Sequence, residues 1–501
     1  MEFEIGTKYN DVITEKVIVS WGKDNIIFNG ATGSGKTYFV ENNLYKYCSE
    51  RNKRILYLCN RKPLFKEVTD RINECSKTNI IDVMLYQVLE KKLTKNELIH
   101  KYDYIVCDEF HYVMADAMFN MYTDITYDYI TSQDDACVIF MSGTAKPIFN
   151  KLKHDGIVKD EREYIIPYSY SYIEELQFYV SRNSTMDIIE NILNTTNDKI
   201  IYFSNSTSFA LEVFKRFKKQ SVFRCSESSR NYEARQLNDV DAIKQYDENL
   251  ITFDKRLLVA TKVIDNGINL EDKSIKHIIT DVFDLESLQQ CIGRKRVKGV
   301  TDTCKLYIRN YTKSELSGFK VNILGKFNPV NLFVTDEEEF EKIHGMNRAF
   351  HSDFIYWENG VRKYNKLGYW KMLNEIALIE FMEKDSYSNV LLKELGDTII
   401  NVVDTYEEQQ LINETNKELY IKKIIGKKLY SKSKEKDEFI ERLAFTNKNN
   451  RLIKSFNGIN EYLNMKYDGK YNLTSGTDWN RTTEDGSENL KYGKAYWTIN
   501  I

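Results

Sequence analysis

Gly30-Ala31-Thr32-Gly33-Ser34-Gly35-Lys36-Thr37 decides the fold. The pattern G-x-x-x-x-G-K-[ST] lies between a short apolar run, Asn25–Asn29 (NIIFN), and a helical stretch from Thr37 to Ser49. Glycines at 30, 33 and 35 let successive backbone N–H groups converge on phosphate oxygens, and the following helix adds the positive end of its dipole. All eight residues are expected to cradle phosphates, with Lys36 reaching the β/γ-phosphates and the Thr37 hydroxyl placed to ligate Mg²⁺. A chance match in a chain this long is on the order of a few per cent from ordinary residue frequencies.

Further short apolar runs follow at Arg54–Cys59 (RILYLC), Asp82–Leu85 (DVML), Tyr104–Cys107 (YIVC) and Val138–Met141 (VIFM), with a helical stretch over Lys66–Cys75. Runs this short, separated by helices, predict buried strands of a parallel sheet. Asp108-Glu109-Phe110-His111 comes directly after one of them. Two carboxylates then stand at a strand's C-terminal end, the usual mouth of an open α/β sheet. A DE pair after a strand is by itself an ordinary helix cap. Beside a phosphate loop it reads as nucleotide chemistry, with Asp108 holding Mg²⁺ through water and Glu109 polarising the attacking water.

Between Lys146 and Tyr172 the pattern dissolves into an expected linker carrying tyrosines at 164, 168, 170 and 172. A second set of strands is expected at Leu176–Val180, Lys199–Phe203, Leu257–Ala260, Lys276–Thr280 and Lys305–Ile308. After about Ser317 the chain reads as charged helices, with Thr335 and Glu338 spaced as a capping box. From about Tyr471 it is turn-rich and aromatic, which predicts a small β ribbon or a wing.

The 501 residues suggest about three domains. At 42% hydrophobic and 29% charged residues the chain is neither disordered nor fibrous. No run approaches the ~18 apolar residues of a membrane span, and no apolar secretory leader is expected. Eight cysteines without a CxxC pair argue against a zinc ribbon or a disulfide framework and for a reducing compartment. With 34 Tyr and 4 Pro the composition carries an AT-rich codon signature; the expected location is cytoplasmic, in a bacterial or phage-infected cell. The net charge of −3 means that nucleic-acid affinity must come from local patches. His154, His277, His344 and His351 lack metal-ligand spacing. Lysines between 422 and 436 could meet a phosphate backbone or form a solvated helix face.

Gly30–Thr37, Asp108–His111, Ser142-Gly143-Thr144-Ala145 and Gln289-Gln290-Cys291-Ile292-Gly293-Arg294-Lys295-Arg296 resemble, in this order, motifs I, II, III and VI of the superfamily 2 helicases. Weaker likenesses fall between them: Tyr57–Leu64 to motif Ia, Tyr86-Gln87 to motif Ic, Tyr202–Ser206 to motif IV and Ala260–Asn269 to motif V. DEFH resembles the DExH branch. The resemblance implies an α/β fold of two RecA-like parallel-sheet lobes in tandem (1–165 and 166–315), followed by a mostly helical C-terminal extension (316–501). It implies ATP and Mg²⁺ as cofactors and nucleic acid as partner, DNA favoured and RNA an alternative. No membrane partner is expected. The extension is where replication or repair proteins would dock.

Within that resemblance the catalytic set is Lys36, Asp108, Glu109, Gln290, Arg294 and Arg296, with metal on Thr37 and Asp108. Gly267 of motif V joins the nucleotide contacts. His111, Ser142 and Thr144 couple nucleotide state to the strand, and Arg61, Tyr86, Ser206 and Thr261 contact its backbone.

Three features depart from the family pattern. The usual QxxGRxxR counted from Gln290 puts its last Arg at position 297, which is Val; Arg296 comes one earlier. The shorter spacing is similar to that of viral and phage replication helicases, and it leaves Arg294 and Arg296 as joint arginine-finger candidates. No Gln precedes Gln87, so the adenine-reading Gln of DEAD-box proteins is missing, and Tyr9 or Trp21 is the expected base-stacking residue. Leu85 stands where motif Ic often offers a Thr. The activity implied is ATP-driven helicase or translocase action in replication or repair. An ATP-switched origin- or structure-binding protein and a duplex translocase that does not separate strands are the alternatives.

Overall fold

A computed structural model describes the chain except residues 32, 121, 228, 248–249, 262–268, 298, 300, 346–351, 359, 397, 400, 432, 446–451 and 484. Thr32, Gly267 and most of the motif V segment therefore lie outside the described residues. The chain divides into two compact units, residues 1–186 with 197–403 and residues 187–196 with 404–501.

The first unit contains two parallel sheets. One is built from β1 Ile26–Gly30, β2 Ile55–Cys59, β3 Ile81–Leu85, β4 Tyr104–Cys107, β5 Cys137–Ser142 and β6 Glu163–Ile166, in the order β3-β2-β4-β5-β1-β6. Every residue of β2, β4 and β5 is buried, because helices cover both faces; this is why these strands read as unbroken apolar runs rather than alternating ones. β5 lies between β4 and β1, with Asn29 opposite Ser142 and Cys107 opposite Phe140. That order brings the ends of β1, β4 and β5, and so the segments resembling motifs I, II and III, to one edge.

The second sheet comprises β7 Ile173–Tyr179, β8 Lys199–Ser204, β9 Ser221–Arg224, β12 Leu257–Thr261, β13 Ile275–Thr280, β14 Cys304–Arg309 and β17 Val402–Val403, in the order β17-β7-β14-β13-β8-β12-β9. An antiparallel hairpin, β10 Ile243–Asp247 with β11 Leu250–Phe253, precedes β12. A second hairpin, β15 Ile355–Glu358 with β16 Val361–Tyr364, follows the helix Lys313–Thr335. The two parallel α/β lobes are those expected of tandem RecA-like folding. Among the described residues no helix is long and apolar enough to cross a membrane.

Two local expectations are corrected. The expected linker contains the helix Lys146–His154 and the strand β6, which pairs in parallel with β1. The connector between the sheets is therefore short, and it packs: Tyr164 is buried in the first core, Tyr170 in the second, and Tyr168 and Tyr172 pack against the latter. The helix Glu337–Phe340 is capped by the Asp336 side chain, which accepts from the Glu339 N–H, and not by Thr335. Thr335 ends the preceding helix and donates to the Asn331 carbonyl. Complete capping boxes form instead at Thr312/Glu315 and Thr405/Glu408.

The second unit has its own apolar core, including Ile421, Phe439, Leu463, Tyr471 and Ile499. Its antiparallel sheet joins Leu429–Tyr430, Ala495–Asn500 and Asn472–Thr477.

Candidate active site between the two sheets

The loop after β1 turns through Gly33 and Gly35 at φ +84° and +83°, where a side chain is strained. Lys36 Nζ donates to the carbonyls of Gly30 (2.6 Å) and Ala31 (3.2 Å), so the ammonium rests inside its own loop. The Ser34 hydroxyl is buried with no partner among the described residues. Gly143 is required for a different reason. A Cβ there would collide with the Tyr168 hydroxyl and stand 2.7 Å from the Gly30 carbonyl, so only glycine lets the end of β5 close against the phosphate loop.

Asp108 continues the line of β4, its N–H donating to the Leu58 carbonyl at 2.9 Å. Glu109 then adopts φ +49°. A non-glycine residue in this region is uncommon and points to a constrained turn. Two tyrosines brace the turn from the core: Tyr57 donates to the Asp108 carboxylate and also meets Thr37, while Tyr86 donates to the Asp108 carbonyl at 3.0 Å. Tyr57 thus links the two residues expected to hold metal. Its place inside the fully buried β2 gave no sign of this in the sequence. Tyr86, expected at the nucleic-acid strand, is instead completely buried and stacked on Tyr112 at 5.0 Å; its neighbour Gln87 lines an outer groove with Asn60, Arg61 and Lys62.

The two carboxyls titrate in opposite directions. Burial, then the charge of Glu109, raises Asp108 to about 6. Burial acts the same way on Glu109 but is outweighed by His111, Lys36 and Arg294, which hold it down to about 2. Glu109 is therefore the carboxylate held ionised.

A polar chain leads from Glu109 across to the second sheet. Glu109 Oε2 is 3.3 Å from His111 Nδ1, which is 3.1 Å from Ser142 Oγ. Ser142 Oγ accepts from the Thr144 N–H at 3.2 Å. The Gln290 amide donates to Thr144 Oγ1 at 2.8 Å and lies 3.4 Å from His111 Nε2. Gln290 belongs to the helix Leu285–Ile292, capped by Asp284.

Past that helix the chain is extended. Leu270 and Lys295 bridge, with Leu270 N–H to Arg294 O and Arg296 N–H to Leu270 O both at 2.8 Å. Alternation sends Lys295 inward to a fully buried pair with Asp302 at 2.6 Å, and leaves Arg294 and Arg296 on the other side. Arg296 Nε donates to Asn269 Oδ1 at 2.9 Å, and its Nη1 lies 3.7 Å from where a Cβ on Gly33 would stand. The short GRKR spacing is thus accommodated by extended backbone. A cleft of about 300 Å³ opens here, lined by Lys8, Ala31, Ser34, Tyr168, Tyr172 and Arg296 among others.

Arg296 lines this cleft with Lys8, and its charge acts on Lys36 while that of Arg294 acts on it. Burial lowers the pKa of Lys36, with Arg296 adding to it against Glu109 and Asp108; burial and then Arg294 lower that of Arg296. Cations beside a buried hydroxyl that lacks a partner among the described residues suit a polyphosphate, and Thr37 and Asp108 are oxygen donors that could share a magnesium ion with it.

The aromatic residues expected to read adenine do not reach the cleft. Tyr9 is buried, stacked on Phe28 at 4.3 Å, and donates to the Tyr164 carbonyl. Trp21 is buried, with its indole N–H on the Tyr164 hydroxyl. Among the strand candidates, Arg61 follows β2 and is exposed, Ser206 caps the helix after β8, and Thr261 ends β12. All three stand at C-terminal strand ends.

Comparison with known proteins matches two separate stretches of the chain. Residues 6–147 match the family "Type III restriction enzyme, res subunit", and residues 184–297 match the "Helicase conserved C-terminal domain". No curated protein matches the chain significantly. Similar solved structures include Dbp5 of Saccharomyces cerevisiae bound to RNA and ADP BeF3, at 12% identity and a TM-score of 0.43, covering 79% of this chain and 89% of that one. They also include the Escherichia coli DEAH/RHA helicase HrpB, at 13% identity and a TM-score of 0.41, covering 62% of this chain and 43% of that one.

Proposed function

We propose that this chain, whose two matched domains mark a superfamily 2 helicase and nucleic-acid-dependent ATPase, is a motor of the DExH type that moves along single-stranded DNA. The observation that carries the reading is the polar chain from Glu109 and His111 through Ser142 and Thr144 to Gln290. It connects the carboxylates of the first sheet to a helix of the second. A change at the nucleotide can then bias how the lobes pack.

In this reading Lys36, Arg294 and Arg296 bind and orient the triphosphate, and Glu109 orients the attacking water and takes up its proton. Thr37 and Asp108 hold magnesium, which when bound offsets charge on the β- and γ-phosphates. Arg61, Ser206 and Thr261 meet the strand's phosphates from the sheet ends. DNA is favoured over RNA because the adenine-reading Gln of DEAD-box proteins is missing and because the first lobe matches a restriction-enzyme family. A role in replication or repair, through partners of the C-terminal residues, completes the proposal.

The test is steady-state ATP hydrolysis with no polymer, single-stranded DNA, duplex DNA and RNA. The motor reading expects single-stranded DNA to stimulate most, and stimulation to fall steeply with salt because the contacts are to phosphates. Stimulation by duplex alone would favour the duplex translocase. Polymer-independent turnover would favour an ATP-switched binding protein.

Lys36→Ala should lower turnover by about 10²–10³-fold under every condition, as expected for losing a fixed charge aimed at the reacting phosphate. Unchanged turnover in that variant would remove the phosphate loop from the mechanism.

A further inference from the structure

In the antiparallel sheet of the second unit, directly opposed residues share a face and successive residues alternate. Leu473 opposite Ile499, and Leu429 opposite Trp497, lie on the face that packs into the apolar core. The other face carries Tyr430 opposite Tyr496 and Thr474 opposite Thr498. Thr474 is exposed and both tyrosines are half-buried, their rings meeting edge to face at 5.8 Å. None of the three strands carries an acidic residue. Asp478, directly after Asn472–Thr477, does meet this face, but it is buried and its carboxylate accepts from Lys428 at 3.0 Å and Tyr430 at 2.5 Å. Lys428 also stands 4.9 Å from the centre of the Tyr496 ring, and Lys491 stands 5.4 Å from that of Tyr430.

The chain between Asn472–Thr477 and Ala495–Asn500 makes a closed excursion. The Asp478 N–H donates to the Lys494 carbonyl at 3.0 Å, and the Gly493 N–H to the Asp478 carbonyl at 2.6 Å. Across it, Asn489 donates from its amide to the Asn480 carbonyl (2.8 Å) and from its N–H to the Arg481 carbonyl (2.9 Å). This ordered loop nevertheless leaves Trp479 67% and Tyr492 44% exposed, with their rings 5.7 Å apart and edge to face. Aromatic groups held out in water together mark an interaction surface. The exposed cations Arg481, Lys491 and Lys494 accompany them, Arg481 lying 5.9 Å from the Tyr492 ring. The remaining acids of the excursion cluster in sequence at 484–488, and of these Asp485 accepts from Thr483 and Ser487. Open aromatic rings among cations, beside a sheet face whose acid is neutralised, suit bases and the phosphates that join them.

We propose that this face, with Trp479 and Tyr492 beside it, is a docking surface for single-stranded DNA, separate from the strand contacts of the two lobes. A duplex hides its base faces and offers these rings little to stack on, which selects a single strand. That the strand is DNA rests on the motor reading. A second attachment raises the effective concentration of the strand for the lobes.

Binding of a fluorescently labelled oligothymidine to the full chain is measured by anisotropy over a salt series, without nucleotide. Wild type, Trp479→Ala and Lys491→Gln are compared, with the melting temperature of each. In Trp479→Ala the Kd is expected to rise by about 10-fold with its salt dependence unchanged, as for one lost stacking contact. In Lys491→Gln the slope of log Kd against log salt is expected to fall by about 0.7, the value of one phosphate contact on a single strand. Wild-type Kd and slope in both variants would overturn the proposal and point to a protein partner instead. So would weaker binding that comes with a lowered melting temperature and an unchanged slope in Lys491→Gln, the mark of a structural role. Equal or tighter binding of an oligouridine RNA would overturn the choice of DNA. DNA-stimulated hydrolysis by the wild type is assayed alongside. Binding that weakens as expected, without stimulation, would count against the motor reading and uphold the surface; stimulation with binding unchanged in both variants would do the reverse.

Discussion

Arg296→Ala is expected to lower ATP turnover by on the order of 10³-fold while changing KM for ATP far less. The expectation comes from where the guanidinium is held. Its Nε is fixed on Asn269, and its Nη1 lies over Gly33 at the mouth of the phosphate loop. A planar donor there neutralises charge that develops as the phosphoryl group transfers, and an interaction felt mainly in the transition state appears in kcat. Lysine should not rescue, because an ammonium lacks the fork that bonds Asn269 and still reaches forward. Arg294, on the same side of the extended segment, is one of the charges that hold the Glu109 carboxyl low. If kcat survives Arg296→Ala and collapses in Arg294→Ala, the finger is Arg294. Intact turnover in both variants would remove this segment from the chemistry.

The resemblance located the motifs, but not how GRKR could work one residue short. That answer depends on the bridge between Leu270 and Lys295, a long-range pairing that spacing alone does not encode. Strands were legible where helices bury both faces, as at Tyr104–Cys107, whose limits agree residue for residue with the structure. They were missed where the run is short and mixed. Glu163–Ile166 carries only three apolar residues among charges, and is an edge strand beside β1; Ser221–Arg224 alternates at the other sheet's edge.

Aromatic residues were the least legible. Tyr9, Trp21 and Tyr86 resemble surface ligands in sequence, because a tyrosine or tryptophan suits a stacking platform and a core equally well. Burial decides between these, and it depends on which strands become neighbours. Tyr57 shows the converse. Nothing in ILYLC marks one residue as special, yet the β2–β4 pairing sets Tyr57 opposite Val106, two residues from the carboxylate its hydroxyl holds.

Glu109→Gln is expected to lower turnover by about 10²–10⁴-fold, the range for losing a general base, while ATP binding persists and the strand-bound state accumulates. The amide preserves the size of the side chain and an oxygen to accept from Ser142, so the unusual φ of +49° and the route to Gln290 need not change. The effect on Asp108 has a definite sign. Burial is the first cause of its raised pKa and the Glu109 charge the second. Removing that charge lowers the Asp108 pKa, so Asp108 is more fully ionised near pH 7, as the proposed metal-holding role requires. Lys36 and Arg294 lose an anionic neighbour in the same step, which leaves them more available to the triphosphate. Equilibrium binding of a fluorescent ATP analogue, set beside single-turnover hydrolysis, separates the two effects. Loss of binding together with hydrolysis would make Glu109 a ligand rather than the base, and wild-type single-turnover rates would exclude it from the reaction.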